Sequence, residues 1–185
     1  MSNAFTSRWG GGLILPFGDT LPEVSDDVFL AHGASVIGDV EIGSGCSVWY
    51  GSTLRGDVNV IRVGENTNIQ DGTVVHVARK TQGTFIGSDC TIGHGAIIHG
   101  CTLENGCYVG MRATVMDGAT VQSGAMIAAG ALVTPGKCVP SGQLWAGSPA
   151  KLMRELSLED LEYMKDAARH YAELGRAYWT RLNGI

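Results

Sequence analysis

An aliphatic residue returns at every sixth position along most of this chain, and few folds can use such a period. From Val24 the series runs through Leu30, Val36, Ile42, Val48 and Leu54. After three extra residues it resumes at Val63, Ile69 and Val75, and after a longer insertion at Ile86, Ile92 and Ile98. One step then falls a residue short, to Leu103, before Val109, Val115, Val121, Ile127 and Val133. Helices repeat near 3.6 residues and strands near 2. A period of six therefore predicts a short strand plus a corner, three of which close one turn of a triangular coil. Successive coils stack at about 4.8 Å, the spacing of adjacent strands. The aliphatics fill the prism, because one coil cannot bury its apolar face alone. Taken in threes, the units predict six coils beginning at Val24, Ile42, Val63, Ile86, Leu103 and Val121. The 27 glycines among 185 residues suit a fold with so many corners.

The predicted architecture is an all-β solenoid over residues 1–150, with an N-terminal lead-in, followed by a C-terminal amphipathic α-helix over 151–185. The period changes after Gly147-Ser148-Pro149-Ala150-Lys151. Ser157 with Asp160 three residues later reads as a helix N-cap box. Leu161, Met164, Ala168, Tyr171 and Tyr178 follow at helical steps. The helix is expected to lie against the prism and to shield it in part from edge-to-edge association.

Charge and cysteine usage narrow the classes of function. A net charge of −5 argues against nucleic acid and anionic membranes as partners. No apolar run approaches the roughly 20 residues of a membrane-spanning helix. Met1–Gly12 lacks the charged-then-apolar order of a signal peptide. A cytoplasmic protein is the expectation. The five cysteines form no CxxC pair. Cys46, Cys90 and Cys107 share the fifth position of the first face, in a column completed by Thr67 and Ala125, and read as packed core thiols.

The repeat also places the histidines. His76 and His99 are each the second residue of the third face, one coil apart, so they should stack one strand spacing from each other. His94 is the third residue of the second face and points from a different wall. Packing three prisms side by side, wall two against wall three, would let His94 of a neighbour complete a three-nitrogen set. Three protein ligands and one open position form the catalytic metal pattern. From the residues alone, the competing reading is three histidines on a solvated wall. Arg55 stands one coil before His76 in the same ladder, with Asp57 two residues later; Asp71 precedes His94 in its ladder, beside Gln70. These charges would meet across the same boundary, as a structural ion pair or as groups that orient water.

Arg55-Gly56-Asp57, Asn68-Ile69-Gln70-Asp71-Gly72 leading to His76, and Gly93-His94 through His99-Gly100 together resemble the γ-class carbonic anhydrases. Gly110-Met111 and Ala146-Gly147-Ser148-Pro149-Ala150-Lys151 are similar to that family as well, though the closing segment is shared with hexapeptide acyltransferases. The resemblance implies a left-handed β-helix, a homotrimer, zinc or ferrous iron held by His76, His94 and His99 (three imidazoles also accept cobalt), and reversible hydration of CO₂ to bicarbonate. It implies interface roles for Arg55 and Asp57, a solvent-orienting role for Gln70, and a position near the site for Tyr171. A metal so held lowers the pKa of bound water from 15.7 to about 7. The best-known family members carry acidic residues where this chain has Val58 and, approximately, Arg79, and this departure implies slow proton export. Three other functions fit the same scaffold: metal-dependent thioester or ester hydrolysis, acyl transfer from coenzyme A, and a non-catalytic assembly subunit.

Overall fold

The computed structural model describes residues 10–183. The reading of the extreme N-terminus as no leader peptide falls mostly on residues 1–9 and lies outside them.

The chain forms a left-handed parallel β-helix of about seven turns with one C-terminal helix. Every sixth aliphatic points inward, and each wall is one column of paired strands. Wall one stacks Val24, Ile42, Val63, Ile86, Leu103, Val121 and Val139. Wall two stacks Leu30, Val48, Ile69, Ile92, Val109, Ile127 and Trp145. Wall three stacks Ile14, Val36, Leu54, Val75, Ile98, Val115 and Val133. Burying such a side chain contributes roughly 1.5–3 kcal/mol, and these columns together make the continuous core. The stack extends beyond the expected series at both ends, to Ile14 before it and to Val139 and Trp145 after it.

The cysteine column is also as expected. Cys46, Thr67, Cys90, Cys107 and Ala125 are all buried. Burial pushes the Cys46 and Cys101 thiols up to about 12, so neither is a ready nucleophile. Cys138 is exposed.

The C-terminal region differs from the sequence reading in its first residues. Lys151–Glu155 form a strand antiparallel to Gln143–Ala146, so the helix starts later and strand, not helix, occupies this edge of the stack. Helix α1 spans Leu158–Asn183. Its cap box is complete: Asp160 N donates to Ser157 Oγ at 3.2 Å, and Ser157 N donates to Asp160 Oδ2 at 2.7 Å. The helix runs along wall two, touching its first four strands. Phe29, Ala31 and Trp49, which point outward from that wall, are buried against Tyr171, Leu174 and Trp179. Trp49 lies edge-on to Tyr171 and Tyr178, at 5.5 and 5.3 Å between centroids. Gly175 permits this approach, since a Cβ there would sit 2.9 Å from Ser47 Cβ. No helix among the described residues is long and apolar enough to cross a membrane.

Candidate metal centre on the open wall

Among the described residues no helix lies on wall three. Its outward residues include Leu13, Leu15, Val74 and Ile97, each 40–45% exposed. Among them the strand Val74–His76 pairs with Ile97–His99, and His76 faces His99 in register. The alternation of strand side chains turns both imidazoles outward because Val75 and Ile98 point inward. Their rings are 5.1 Å apart between centroids. His76 Nδ1 and His99 Nε2 approach to 3.1 Å.

The outer nitrogens are committed to carboxylates. His76 Nε2 donates to Asp57 Oδ1 at 3.0 Å, and His99 Nδ1 donates to Asp117 Oδ1 at 2.6 Å. A carboxylate only accepts, so both outer nitrogens carry protons and the inner pair holds the remaining lone-pair positions. The 3.1 Å contact is a hydrogen bond when one inner nitrogen holds a proton. Without that proton, both lone pairs address the same space. Two imidazoles, each backed by a carboxylate and presenting the opposite nitrogen, form the donor arrangement of a metal centre. The pair therefore fits the metal that the sequence implies.

The three extra residues before Val63 explain how Asp57 reaches His76. The ladder shifts register between Gly38 and Val40, where the inserted segment leaves the regular path. Asn59 within it donates to Ala78 O at 3.2 Å, tying the insertion to the loop after His76. Arg55 donates to Asp57. Burial pushes the Asp57 carboxyl up, but hydrogen bonds from His76 and Arg55 outweigh it and hold the group below the ordinary carboxylate range. Thr84 donates to His76 O and accepts from Gly100 N, bracing both histidine strands from one side.

His94 stands apart from this pair. It is a turn residue following the strand Thr91–Ile92, at the corner between walls two and three rather than on the flat of wall two. Its Nδ1 donates to Asp71 Oδ2 at 2.8 Å, and Gly95 N donates to Asp71 O, also at 2.8 Å. Among the described residues no three His, Cys, Asp or Glu side chains converge as one chain's metal site. Gln70 is on the helix-covered side, 5% exposed, with Nε2 donating to Asn68 Oδ1 at 3.1 Å. Tyr171 packs on Trp49 at the same wall. Burial raises its hydroxyl first, and the Asp71 charge raises it further. The chain thus gathers Arg55, Asp57, His76 and His99 into one group, and Gln70, Asp71, His94 and Tyr171 belong to the neighbouring wall and corner. The sequence reading missed Asp117 and Thr84. Asp117 had a signal: it lies two residues after Val115, on the coil directly following His99.

Comparison with known proteins bears on this geometry. Residues 22–56 match the family described as bacterial transferase hexapeptide (six repeats). A protein of Methanocaldococcus jannaschii named "Probable carbonic anhydrase" is 50% identical over 151 residues, covering 82% of this chain and 94% of that protein. The chain belongs to the γ-carbonic anhydrase family. Gamma carbonic anhydrase 2, mitochondrial, of Arabidopsis thaliana is 52% identical over 165 residues, or 86% of this chain. The chain spans 59% of that relative's length. A crystal structure of a hexapeptide transferase family protein from Anaplasma phagocytophilum superposes with a TM-score of 0.86 at 49% identity, covering 90% of this chain and 98% of that one. The two kinds of name attach to one scaffold, and a fold alone does not choose between chemistries. Within the γ-carbonic anhydrase family the choice rests on the histidines and their carboxylates.

Proposed function

We propose that this chain is a metal-dependent carbonic anhydrase that hydrates CO₂ to bicarbonate, with each site completed by two chains of a homotrimer. The observation that carries the reading is the pair of inner imidazole nitrogens, backed by Asp57 and Asp117, on an open wall. His94, backed by Asp71, is the third donor of the same type but sits at a corner of its own chain. A heterologous contact that brings one chain's corner to the next chain's wall three supplies the missing nitrogen, and closure of such a contact gives a ring. The exposed Leu13, Leu15, Val74 and Ile97 around the half-site suit burial in that contact.

His76, His99 and the neighbour's His94 would hold zinc, ferrous iron or cobalt, all of which accept imidazole. Once bound, the ion supplies Lewis acidity that makes a coordinated water acidic near neutral pH. The protein's own groups do the rest. Asp57 and Asp71 fix which nitrogen His76 and His94 present. Arg55 offsets the Asp57 charge at the subunit boundary. Gln70, with Nε2 given to Asn68, keeps Oε1 as the acceptor that orients a reacting water. Tyr171 closes the helix side of the site over Trp49. Proton export is the weak step, since Val58 and Arg79 offer no carboxylate relay, and turnover is expected to be slow. Five cysteines kept as free thiols suit a reducing compartment such as the cytoplasm, whereas the Arabidopsis relatives are named as mitochondrial proteins.

The test is stopped-flow CO₂ hydration by metal-stripped protein reloaded with zinc or, anaerobically, with ferrous iron. Metal-dependent hydration that disappears in His99→Ala supports the reading. A fully loaded protein that hydrates no CO₂ rejects it. The shared site has its own test: co-refolding His94→Ala with His76→Ala chains should restore metal binding in mixed trimers. Verified mixed trimers that bind none would exclude a site built from two chains.

A further inference from the structure

We infer that Asp117 is the positioning residue of His99, setting the tautomer that turns Nε2 toward His76 and the ion. This rests on the metal-site reading above and extends it to a residue that the family motifs leave out.

Three observations carry the assignment. First, the contact is short and undivided: His99 Nδ1 donates to Asp117 Oδ1 at 2.6 Å, and no other side chain among the described residues hydrogen-bonds that carboxylate. Asp57, by contrast, is shared between His76 and Arg55. Second, the corner does not need an aspartate in order to turn. Gly118 N donates to Gly100 O at 2.7 Å and Gly136 N donates to Asp117 O at 2.8 Å, so main-chain bonds hold successive corners. The following coil makes the same turn with Pro135 before Gly136. Third, the coil beneath is shaped to admit the carboxylate. The corner after His99 is the one that runs a residue short, and Asp117 stacks over Gly100. A Cβ on Gly100 would meet Asp117 Oδ1 at 2.4 Å, and φ there is +54°. Residue 100 is thus a glycine both for its backbone conformation and for the approach of Asp117.

With Asp117 in place, each of the three histidines has a carboxylate within 2.6–3.0 Å of one ring nitrogen. Such outer partners raise ligand basicity and hold ring orientation, and their loss typically weakens metal affinity 10- to 100-fold.

The experiment uses full-length chain labelled with ¹⁵N at histidine, as wild type, Asp117→Ala and Asp117→Asn. In metal-free protein at a pH where the rings are neutral, wild-type His99 should be protonated at Nδ1 only. Asp117→Ala should convert it to a mixture of tautomers, leaving His76 and the circular dichroism spectrum unchanged. Zinc affinity, measured by chelator competition, should then fall about 10- to 100-fold, with Asp117→Asn falling between alanine and wild type. An unchanged His99 tautomer in Asp117→Ala overturns the inference, as does a changed tautomer with undiminished zinc affinity. If wild-type protein binds no zinc, the metal-site reading fails on its own, and the tautomer comparison still decides whether Asp117 sets His99.

Discussion

Walls two and three are built from the same hexapeptide unit and differ in what lies over them. On wall two, Phe29, Ala31 and Trp49 project outward and are buried at once by the aromatic side of helix α1. On wall three, Leu13, Leu15, Val74 and Ile97 project outward and stay 40–45% exposed. The covered wall is complete within one chain. The open wall holds two metal-type nitrogens and an apolar surround, and among the described residues nothing in its own chain finishes either. One helix thus makes a symmetric prism asymmetric, covering one wall and leaving open the wall to which we assign assembly and chemistry.

Substitutions can test that division. The largest effect is expected from His99→Ala on the open wall. Zinc affinity should fall beyond the roughly hundredfold reached when only an outer partner is lost, and hydration should drop to background, with the melting temperature of the metal-free chain nearly unchanged. Trp49→Ala on the covered wall should do the reverse. It should cost about 3 kcal/mol of unfolding free energy by denaturant titration, while the chain that remains folded keeps its zinc affinity. If Trp49→Ala abolishes binding at full occupancy of the fold, the two walls are not separable. Ile97→Glu should be milder still, weakening the trimer more than tenfold by sedimentation, or about 1.4 kcal/mol. The helical signal of α1 should not change.

The smallest effect is at the helix start. Ser157→Ala should cost about 1 kcal/mol. The same cap gives a pH dependence. Hydrogen bonds from Arg154 first, and then from Ser157, hold the Asp160 carboxyl well below the ordinary carboxylate range. A carboxyl depressed on folding stabilises the folded state above its unfolded pKa, and that contribution is lost as pH falls below it. Helix fraying, followed by amide hydrogen exchange near residue 158, should therefore grow on acidification through and below about pH 4. It should grow much less in Asp160→Asn.

The features that follow the six-residue period are legible in the sequence, because period and depth are linked in a stacked coil. That holds for the inward columns, the thiol column of Cys46, Cys90 and Cys107, and the stacking of His76 on His99. Features governed by breaks in the period were harder to see. Trp145 occupies an inward position without being aliphatic, so the last coil escaped notice. Lys151–Glu155 pairs antiparallel to Gln143–Ala146 because the chain reverses at Gly147–Ala150, and a spacing count carries no such information. His94 counted as a wall residue, but its rank after Ile92 puts it in the turn. The docking wall of the helix did leave a trace: Phe29 and Trp49 are outward positions with large aromatic side chains, which a solvated wall would not favour. Asp117 was obscured because its relation to His99 runs between coils at an irregular corner.

The in-register pairing of Val74–His76 with Ile97–His99 locks the histidine pair to the phase of the stack. Rungs after Asp117 serve as spacers for that pair. Inserting three further hexapeptides near the C-terminal end should lengthen the rod by about 4.8 Å and leave the two imidazoles in contact. The same insertion between residues 76 and 99 would put a rung between them and hold them about 10 Å apart, too far for one ion to join. The fold can therefore grow by whole turns beyond Asp117, but not across the steps that join Asp57 to His76, His76 to His99 and His99 to Asp117.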